Sequence, residues 1–327
     1  MTSRSGHSME PAGEPAAGVV VGCLMRASRL QAFQARGILP GVATAVPGRA
    51  ATLQCLAFDP CQDPCLQPPV HVLLHKLSDF DGVKEGPGHA WVRAYLRRHP
   101  GTKIVDPVET LGPALDREAM AHAAERASAL SDGLRMLRWA SLEGPADDDG
   151  GDPGFFPCVV KPRVACGGPT AHVMAVVRST AELQACHVPL PRVAQEWVDG
   201  GGAVLKVYVA GEATSWRLLA EGGPLPDSKE GSAGARGGKT SRAQHPGARQ
   251  GPDAIAVNAA SALRRTLGWM LFGADLVCCS TAGLWSIVDI NYFPSYLGIQ
   301  DADGLLHSAL VDCAACRDSL NGSRDRA

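Results

Sequence analysis

Two hydrophobic periods alternate along the chain. Val19–Leu24 and Val70–Leu74 are short apolar runs of the kind that fill buried parallel strands. His89–Arg98 carries its apolar residues at helical spacing, and Thr102–Val105 is a strand that stops at Asp106-Pro107. Between them, Asp59–Pro69 is a loop rich in Pro and Cys. This alternation predicts an open α/β sheet as a first domain over 19–108. Asp116–Trp139, rich in Ala, Leu, Met, Glu and Arg, predicts one long helix, and the acidic Gly/Pro stretch Gly144–Gly154 a linker. Short strands are then expected at Cys158–Val160, His172–Val177, Val193–Val198 and Val204–Ala210, with a helix at Thr180–Ala185. A helix at Asp253–Leu267, strands at Leu271–Cys278 and Trp285–Ile290 joined by a turn at Thr281–Gly283, and a closing helix at Leu305–Leu320 complete the pattern. The expected organisation is a disordered tail at 1–18, a domain at 19–108, a second region at 109–320 and a tail at 321–327. Glu221–Pro252 is polar and of low complexity, so 222–252 reads as a flexible insertion.

At 327 residues the chain has room for about two or three domains. Aromatics make up only 5% of residues against 45% hydrophobic, so the core must be built from Ala, Val, Leu and Ile. The formal net charge of -2 supplies no global field for nucleic acid or an anionic membrane, and neither partner is expected. A polyanionic ligand would need cations that converge locally. The sequence holds no run of about 18 apolar residues, and residues 1–18 lack the apolar stretch of a secretory signal. A cytoplasmic monomer is the expectation. The eleven cysteines include several inside apolar runs (Cys23, Cys158, Cys278, Cys279), as buried free thiols would be in a reducing compartment. Cys61, Cys65, His71 and His75 superficially resemble a zinc finger, but five residues between Cys65 and His71 fall well short of the usual ~12. The pair Cys313 and Cys316 fits a packed helix face.

Chemistry concentrates in the last two strands. Asp275 sits in FGADLVCC, and Asp289 and Asn291 in SIVDINYFP. Carboxylates rarely occupy such apolar runs without a partner. Asp289 and Asn291 are two apart and share a strand face, and a hairpin would bring Asp275 to them. The resulting all-oxygen set suits magnesium, against the plainer reading of polar residues at a sheet rim. Cations end or interrupt other apolar runs: Lys76 in VHVLLHK, Lys161 in CVVK, Lys206 in AVLKVYVAG, and Arg117 at a helix start. Any one could be a snorkelling surface residue, but four beside a metal set point to polyphosphate chemistry. Gly167-Gly168-Pro169-Thr170 could lay backbone amides over phosphates. The sequence contains no GxxxxGK[ST] loop, and it lacks the HRD and DFG set of protein kinases.

The segments HKLSDF, DPVETL with LDR, VVKPRVACGG with AHVMAVV, QEWVDGGGAVLKVYVAGE, LFGADL and VDINYFPSYLG keep their order over residues 70–300. In these the chain resembles the inositol 1,3,4-trisphosphate 5/6-kinase family, also called inositol-tetrakisphosphate 1-kinase, which has an ATP-grasp fold. The resemblance implies an α/β open domain followed by a two-lobed ATP-grasp region, with ATP and an inositol polyphosphate as substrates and one or two magnesium ions. It implies that Arg117 and Lys161 bind ATP phosphates and that Gln195, Glu196, Trp197 and Val198 form a hinge reading adenine through the backbone. It further implies that Lys76, His172 and Lys206 grip substrate phosphates, with Lys206 also near the nucleotide. Asp275, Asp289 and Asn291 would hold magnesium, and Asn291 and Ser295 would lie against substrate. Lys206 and Asp289 are the candidate catalytic residues.

Four departures accompany the resemblance. An arginine-serine segment expected after the Lys206 strand is blurred into EGGPLPD. The lysine usual near the first strand is absent, leaving Arg26 or Arg29 to substitute. Pro224 stands where a nucleotide-binding serine is usual, and Ser295 replaces a glycine. Two rival readings remain at the level of sequence. One is an ATP-grasp carboxylate–amine ligase, which would share the lysines and carboxylates; the other is a non-catalytic inositol phosphate binding protein.

Overall fold

The computed structural model describes residues 17–80, 86–144, 151–198, 203–220, 249–279 and 282–316. In chain order the first unit contains β1 (Ala17–Leu24), α1 (Ala27–Gln34), β2 (Thr44–Ala45), β3 (Ala51–Ala57), β4 (Val72–His75), α2 (Pro87–Arg98) and β5 (Lys103–Val105). Its sheet runs β2-β3-β1-β4-β5, parallel except for the edge strand β2. The apolar run of β1 sits at the centre, flanked by β3 and β4, which is why Val19, Val21, Gly22, Cys23 and Leu24 of β1 and all of β4 are buried. Helix α2 opens on Pro87, whose fixed φ suits a first turn, and closes on Arg97 and Arg98, which favour the negative end of the helix dipole.

Two short helices follow, α3 (Gly112–Leu115) and α4 (Arg117–Ser128). The Asp116 carboxylate caps α4 by accepting from the Glu118 and Ala119 amides at 2.8 and 3.4 Å. A second sheet is made of β6 (Trp139–Leu142), β7 (Cys158–Pro162), β8 (Ala175–Val177) and, after α5 (Thr180–Gln184), β9 (Arg192–Glu196). Its order is β6-β9-β7-β8, antiparallel throughout. The third sheet takes β10 (Ala203–Ala210), β11 (Ala213–Ala220), β12 (Leu271–Cys278) and β13 (Trp285–Tyr292), in the antiparallel order β11-β10-β12-β13. Helices α6 (Pro252–Leu267) and α7 (Ala302–Ala315) pack around it.

One continuous core joins the first and third sheets, from Val21 and Leu73 through Trp269, Phe272 and Trp285. The second sheet has a separate small core around Leu142, Cys158, Val160, Leu183 and Ala194. A buried polar knot locks the first sheet to the third. The Asp106 carboxylate accepts the Met270 and Leu271 amides at 2.6 and 3.1 Å, satisfying donors at the start of β12. The Tyr292 hydroxyl, at the end of β13, donates to the His75 carbonyl at 2.9 Å and accepts from the Asp106 amide at 3.2 Å. Burial lowers His75 to about 4, so its neutral ring donates from Nε2 to the Asp106 carbonyl at 2.6 Å. Burial also pushes Asp106 up to about 7, with the Met270 and Leu271 amides opposing the rise.

The structure differs from the sequence pattern in several places. The helix expected over Asp116–Trp139 ends at Ser128, and Trp139 begins β6. Past Asp132-Gly133 the chain instead runs beside the start of β13: the Trp285 amide donates to Gly133 at 3.1 Å, and the Arg135 amide to Trp285 at 2.7 Å. A Cβ at Gly133 would meet the Gln250 side chain at 2.5 Å and Ile255 at 2.9 Å, so any larger residue there would have to displace those side chains. The strand expected over His172–Val177 forms only from Ala175, because Pro169 starts a 3-10 turn, Pro169–His172. The closing helix starts earlier than expected, at Ala302, and stops at Ala315, where Cys316 is extended. Strands β3 and β11 were not singled out by the pattern. Within the expected insertion 222–252, residues 249–252 are built into the fold: the Arg249 amide donates to Gly283, and Gln250 accepts from Asn258 at 3.0 Å and from Trp285 Nε1 at 3.2 Å. The rest of that insertion, Pro224 and the 321–327 tail lie outside the described residues, as does all of the 1–18 tail before Ala17, where β1 begins.

Asp106→Ala orphans two buried amides and should cost about 2–4 kcal/mol of stability. Urea denaturation should show the lowered midpoint with an unchanged slope; a loss below about 1 kcal/mol would contradict the knot.

Candidate functional site

The third sheet sets its chemistry out in register. Lys206 on β10 lies opposite Asp275 on β12, which lies opposite Asp289 on β13. Directly opposed residues of antiparallel strands share a face, so the three side chains form one row. Lys206 Nζ donates to Asp275 Oδ2 at 2.6 Å. Asn291, two residues beyond Asp289, projects from the same face, and its Nδ2 donates to Asp289 Oδ2 at 3.1 Å. Asp275 has its pKa raised by burial and by the Asp289 carboxylate beside it, with Lys206 opposing. Like charges directly opposed on a sheet repel, so this pair calls for a cation. Its donors are two carboxylates and one amide oxygen, all hard, which fits magnesium with water and phosphate completing the shell. Among the described residues no three His, Cys, Asp or Glu side chains converge as a denser metal cage.

A register shift beside Asp275 leaves Val288 without a partner, because Asp275 opposes Asp289 while Leu276 opposes Ile287. Lys161, on β7 of the second sheet, donates from Nζ to this Val288 carbonyl at 3.0 Å and to Gln195 Oε1 at 2.9 Å. It is a polar tie between the second and third sheets. Burial lowers its pKa; Asp289 and Asp275 oppose that and Arg117 adds to it. Beside it lies a small cleft lined by Arg117, Met120, Lys161, Gln195, Val288 and Asp289 among others.

Arg117 is 9% exposed and spends its fork on the backbone. Nη1 donates to the Pro162 and Val164 carbonyls at 2.7 and 2.9 Å, and Nη2 to Ala171 at 2.9 Å. These bonds staple both ends of the Gly-rich loop between β7 and β8. The base of that loop also pairs with the start of α4, through the Arg117 amide to Arg163 and the Ala165 amide to Leu115. Arg117 is therefore a loop clamp in this structure, next to the row rather than extended from it.

On the first-sheet side, Lys76 caps β4. Its ammonium donates to the Tyr292 carbonyl and stands 5.0 Å from the Tyr292 ring centroid. Burial brings its pKa down to about 8, with Arg29 adding to the fall and Asp79 opposing it. Of the two arginines that could replace the missing lysine, Arg29 is beside Lys76, bound bidentately to Asp79 at 2.7 and 2.8 Å. Arg26 is exposed at the start of α1. Cys166 of the Gly-rich loop lies within electrostatic reach of both Lys76 and Arg117, which places the loop over this side of the site.

The structure gathers Lys161, Gln195, Lys206, Asp275, Asp289 and Asn291 around one face. His172 is not drawn into the group: it sits on the 3-10 turn, exposed, with no side-chain hydrogen bond among the described residues. At the expected hinge, the Glu196 amide donates to Arg138 at 2.8 Å and the Trp197 amide to Pro157 at 3.1 Å. Burial raises the Glu196 carboxyl, but the Arg138 amide and the Arg135 and Arg138 guanidinium groups more than offset this and hold it below the usual range. Ser295 lies within a tight turn in which Phe293 and Tyr296 have positive φ, 40° and 52°. That turn is held by Arg36, which donates to the Ser295 and Tyr296 carbonyls at 2.7 and 2.9 Å, and by Phe33 stacked on Phe293 at 5.3 Å. The sequence offers no signal for Arg36, a lone arginine after α1 whose partners are backbone atoms far along the chain.

The model of the inositol 1,3,4-trisphosphate 5/6-kinase ATP-grasp domain matches residues 152–220 and 235–312, which include Lys161, Lys206, Asp275, Asp289, Asn291 and Ser295. The Zea mays protein named inositol-tetrakisphosphate 1-kinase 1 is 30% identical over 321 residues, covering 88% of this chain and 88% of the maize protein. The chain belongs to the inositol-tetrakisphosphate 1-kinase family. Inositol-tetrakisphosphate 1-kinase 6 of Oryza sativa subsp. indica is 28% identical over 86% of the chain, which spans 57% of the rice protein's length. The Xenopus laevis member is 27% identical over 72% of the chain and 65% of its own length. Among solved structures, an ADP complex of N5-carboxyaminoimidazole ribonucleotide synthetase superposes with a TM-score of 0.57 at 15% identity, over 91% of this chain and 78% of that one. D-alanine–D-alanine ligase from Bacillus anthracis, complexed with ATP, gives 0.56 at 13% identity, over 91% and 97%. At such identities the likeness establishes the ATP-grasp fold shared across the family, and no more.

If Arg117 is the clamp of this family member's Gly-rich loop, Arg117→Met removes three backbone bonds worth about 0.5–1.5 kcal/mol each. Amide exchange in peptides covering 163–172 should then accelerate at least about tenfold, with little change in the first sheet. Unchanged exchange there would rule the clamp out.

Proposed function

We propose that the chain is an ATP-dependent kinase that phosphorylates a hydroxyl of a soluble inositol polyphosphate. The observation that carries this reading is the in-register row Lys206–Asp275–Asp289, with Asn291 on the same face and Lys161 facing it from the second sheet. Phosphoryl transfer asks chiefly for positioning and charge neutralisation. Asp275, Asp289 and Asn291 would hold magnesium, which when bound would offset phosphate charge. Lys161, lining the cleft against Gln195, would meet the nucleotide phosphates, and the 195–198 segment would lie along the base. Because the Glu196 and Trp197 amides are committed within the fold, the Val198 amide is the donor left for adenine among these four. Arg117 would act through the loop whose amides lie over the phosphates. Lys206 would stand between nucleotide and acceptor, offsetting charge as it builds.

On the acceptor side, Lys76, Asn291 and Ser295 would hold the inositol phosphate, with Arg29 in the place of the missing lysine and His172 reaching in from the Gly-rich loop. The face carries more cations than carboxylates, although the whole chain is slightly acidic. This local surplus suits a substrate with several phosphates and gives a ligase acting on neutral carboxyl-amine pairs no advantage. The family relatives share the kinase name; the ligases share only the fold. No side chain in the row is placed as a general base, and a loose transition state does not require one. Among the described residues, no helix is long and apolar enough to cross a membrane.

Asp289→Asn should lower turnover at least about 100-fold while leaving the melting profile intact, because it removes a metal carboxylate and no core contact. Radiolabelled ATP offered with inositol tris- and tetrakisphosphates, and separately with amino-acid mixtures, tests the assignment; near wild-type turnover by the variant, or transfer only in the amino-acid mixture, would sink it.

The Lys76 ammonium supplies a pH test. Its folded pKa of about 8 lies below the model-peptide value of 10.5, so it loses charge as pH rises through 8. Its effect on stability runs the other way: the unfolded chain binds the extra proton between those values, so stability gains with pH in that window. A fall in kcat/KM for the inositol phosphate above pH 8 is therefore a binding effect, and Lys76→Met should abolish that limb of the profile. A limb unchanged in the variant would remove Lys76 from the acceptor site.

A further inference from the structure

The in-register row does not stop at Lys206. On the edge strand β11, Arg217 lies directly opposite Lys206, so the sheet displays Arg217, Lys206, Asp275 and Asp289 in line on one face. The alternation of β11 confirms the side. Trp216, the preceding residue, turns to the other face and donates from Nε1 to Asp253 of α6 at 2.9 Å.

Arg217 differs from the other charged residues of the row in having no opposite charge among the described residues. Lys206 is paired with Asp275. The only hydrogen bond made by Arg217 among the described residues runs from Nη1 to the Leu297 carbonyl at 3.1 Å, and its Nε is buried with no partner. A guanidinium has five donors, so most of this fork is unspent. Two cations directly opposed on a sheet repel unless an anion lies between them. The Tyr208 phenol marks where they converge: burial raises its pKa, and Arg217 and Lys206 both oppose the rise. The Leu297 bond also sets Arg217 against the turn that carries Ser295, at the acceptor side of the row.

We propose that Arg217 is a further phosphate-binding residue, holding one substrate phosphate jointly with Lys206. The inference rests on the kinase reading and deepens its acceptor site. A phosphate there would take the free edge of the fork and stand between the two cations, as the planar geometry of arginine favours. This would supply, from the far edge of the sheet, charge that the first strand lacks.

The test uses Arg217→Met, which keeps the apolar stem, and Arg217→Lys, which keeps the charge without the fork. Steady-state kinetics would vary an inositol tetrakisphosphate and ATP in turn, alongside calorimetric binding of the tetrakisphosphate and thermal melts. In Arg217→Met the KM and Kd for the tetrakisphosphate should rise roughly 10–100-fold, with the KM for ATP within about twofold and a shallower salt dependence. Arg217→Lys should fall between it and wild type. An active wild type with unchanged tetrakisphosphate KM in Arg217→Met would overturn this proposal alone. So would losses falling equally on kcat, ATP KM and melting temperature in both variants, since Arg217 would then be a brace for the 295–297 turn. A wild type that transfers no phosphate yet binds the tetrakisphosphate in an Arg217-dependent way would uphold this proposal and reject the kinase reading.

Discussion

Two carboxylates placed side by side on neighbouring strands govern the rest of the molecule. Asp275 and Asp289 oppose one another on the last two strands of the third sheet, where repulsion and desolvation both raise the energy of the charged pair. The fold answers with cations from separate segments. Lys206 closes on Asp275 from the next strand, and Lys161 arrives from another sheet. Each must then be held in place, which draws in Gln195 and the Val288 carbonyl. The Gly-rich loop and its Arg117 clamp belong to the same arrangement, since the loop connects the strand bearing Lys161 to its neighbour.

The joints between the three sheets differ in kind. The first and third sheets share one core and a buried polar knot around Asp106, His75 and Tyr292. Breaking that joint would expose apolar area and orphan several buried donors. The second sheet keeps its own small core and meets the third through Lys161, with an exchangeable hydrogen bond to a carbonyl. Such a bond trades readily with water or another oxygen acceptor, so the joint between the second and third sheets is the softer one.

Much of this was legible from sequence where one signal sufficed. Asp275, Asp289 and Asn291 stand out because polar residues inside apolar runs need a reason, and the two-residue strand period puts the last two on one face. Lys76, Lys161 and Lys206 stand out the same way. What escaped depended on partners distant in sequence. The segment after Ser128 has helical composition, yet it leaves the helix and pairs through Gly133 and Arg135 with Trp285, a partner that no local propensity encodes. His172 looked like a strand residue until Pro169 imposed a turn. Arg36 and Arg217 were invisible because their partners are carbonyls of the 295–297 turn, and a backbone oxygen has no residue identity to read.

The unpaired residue at 288 has a wider meaning. Ile287 and Ile290 both face the core, three positions apart, while Asp289 and Asn291 face the site. Without Val288 the remaining residues would alternate perfectly and keep both faces as they are. The extra residue therefore adds nothing to the carboxylates or to the core; what it adds is the carbonyl that receives Lys161. In a homologue one residue shorter at this point, the row of Asp275, Asp289 and Asn291 would survive while the tether between sheets was lost. The carboxylate row and the coupling between sheets are thus separable by a single-residue change in length, which percent identity would not register.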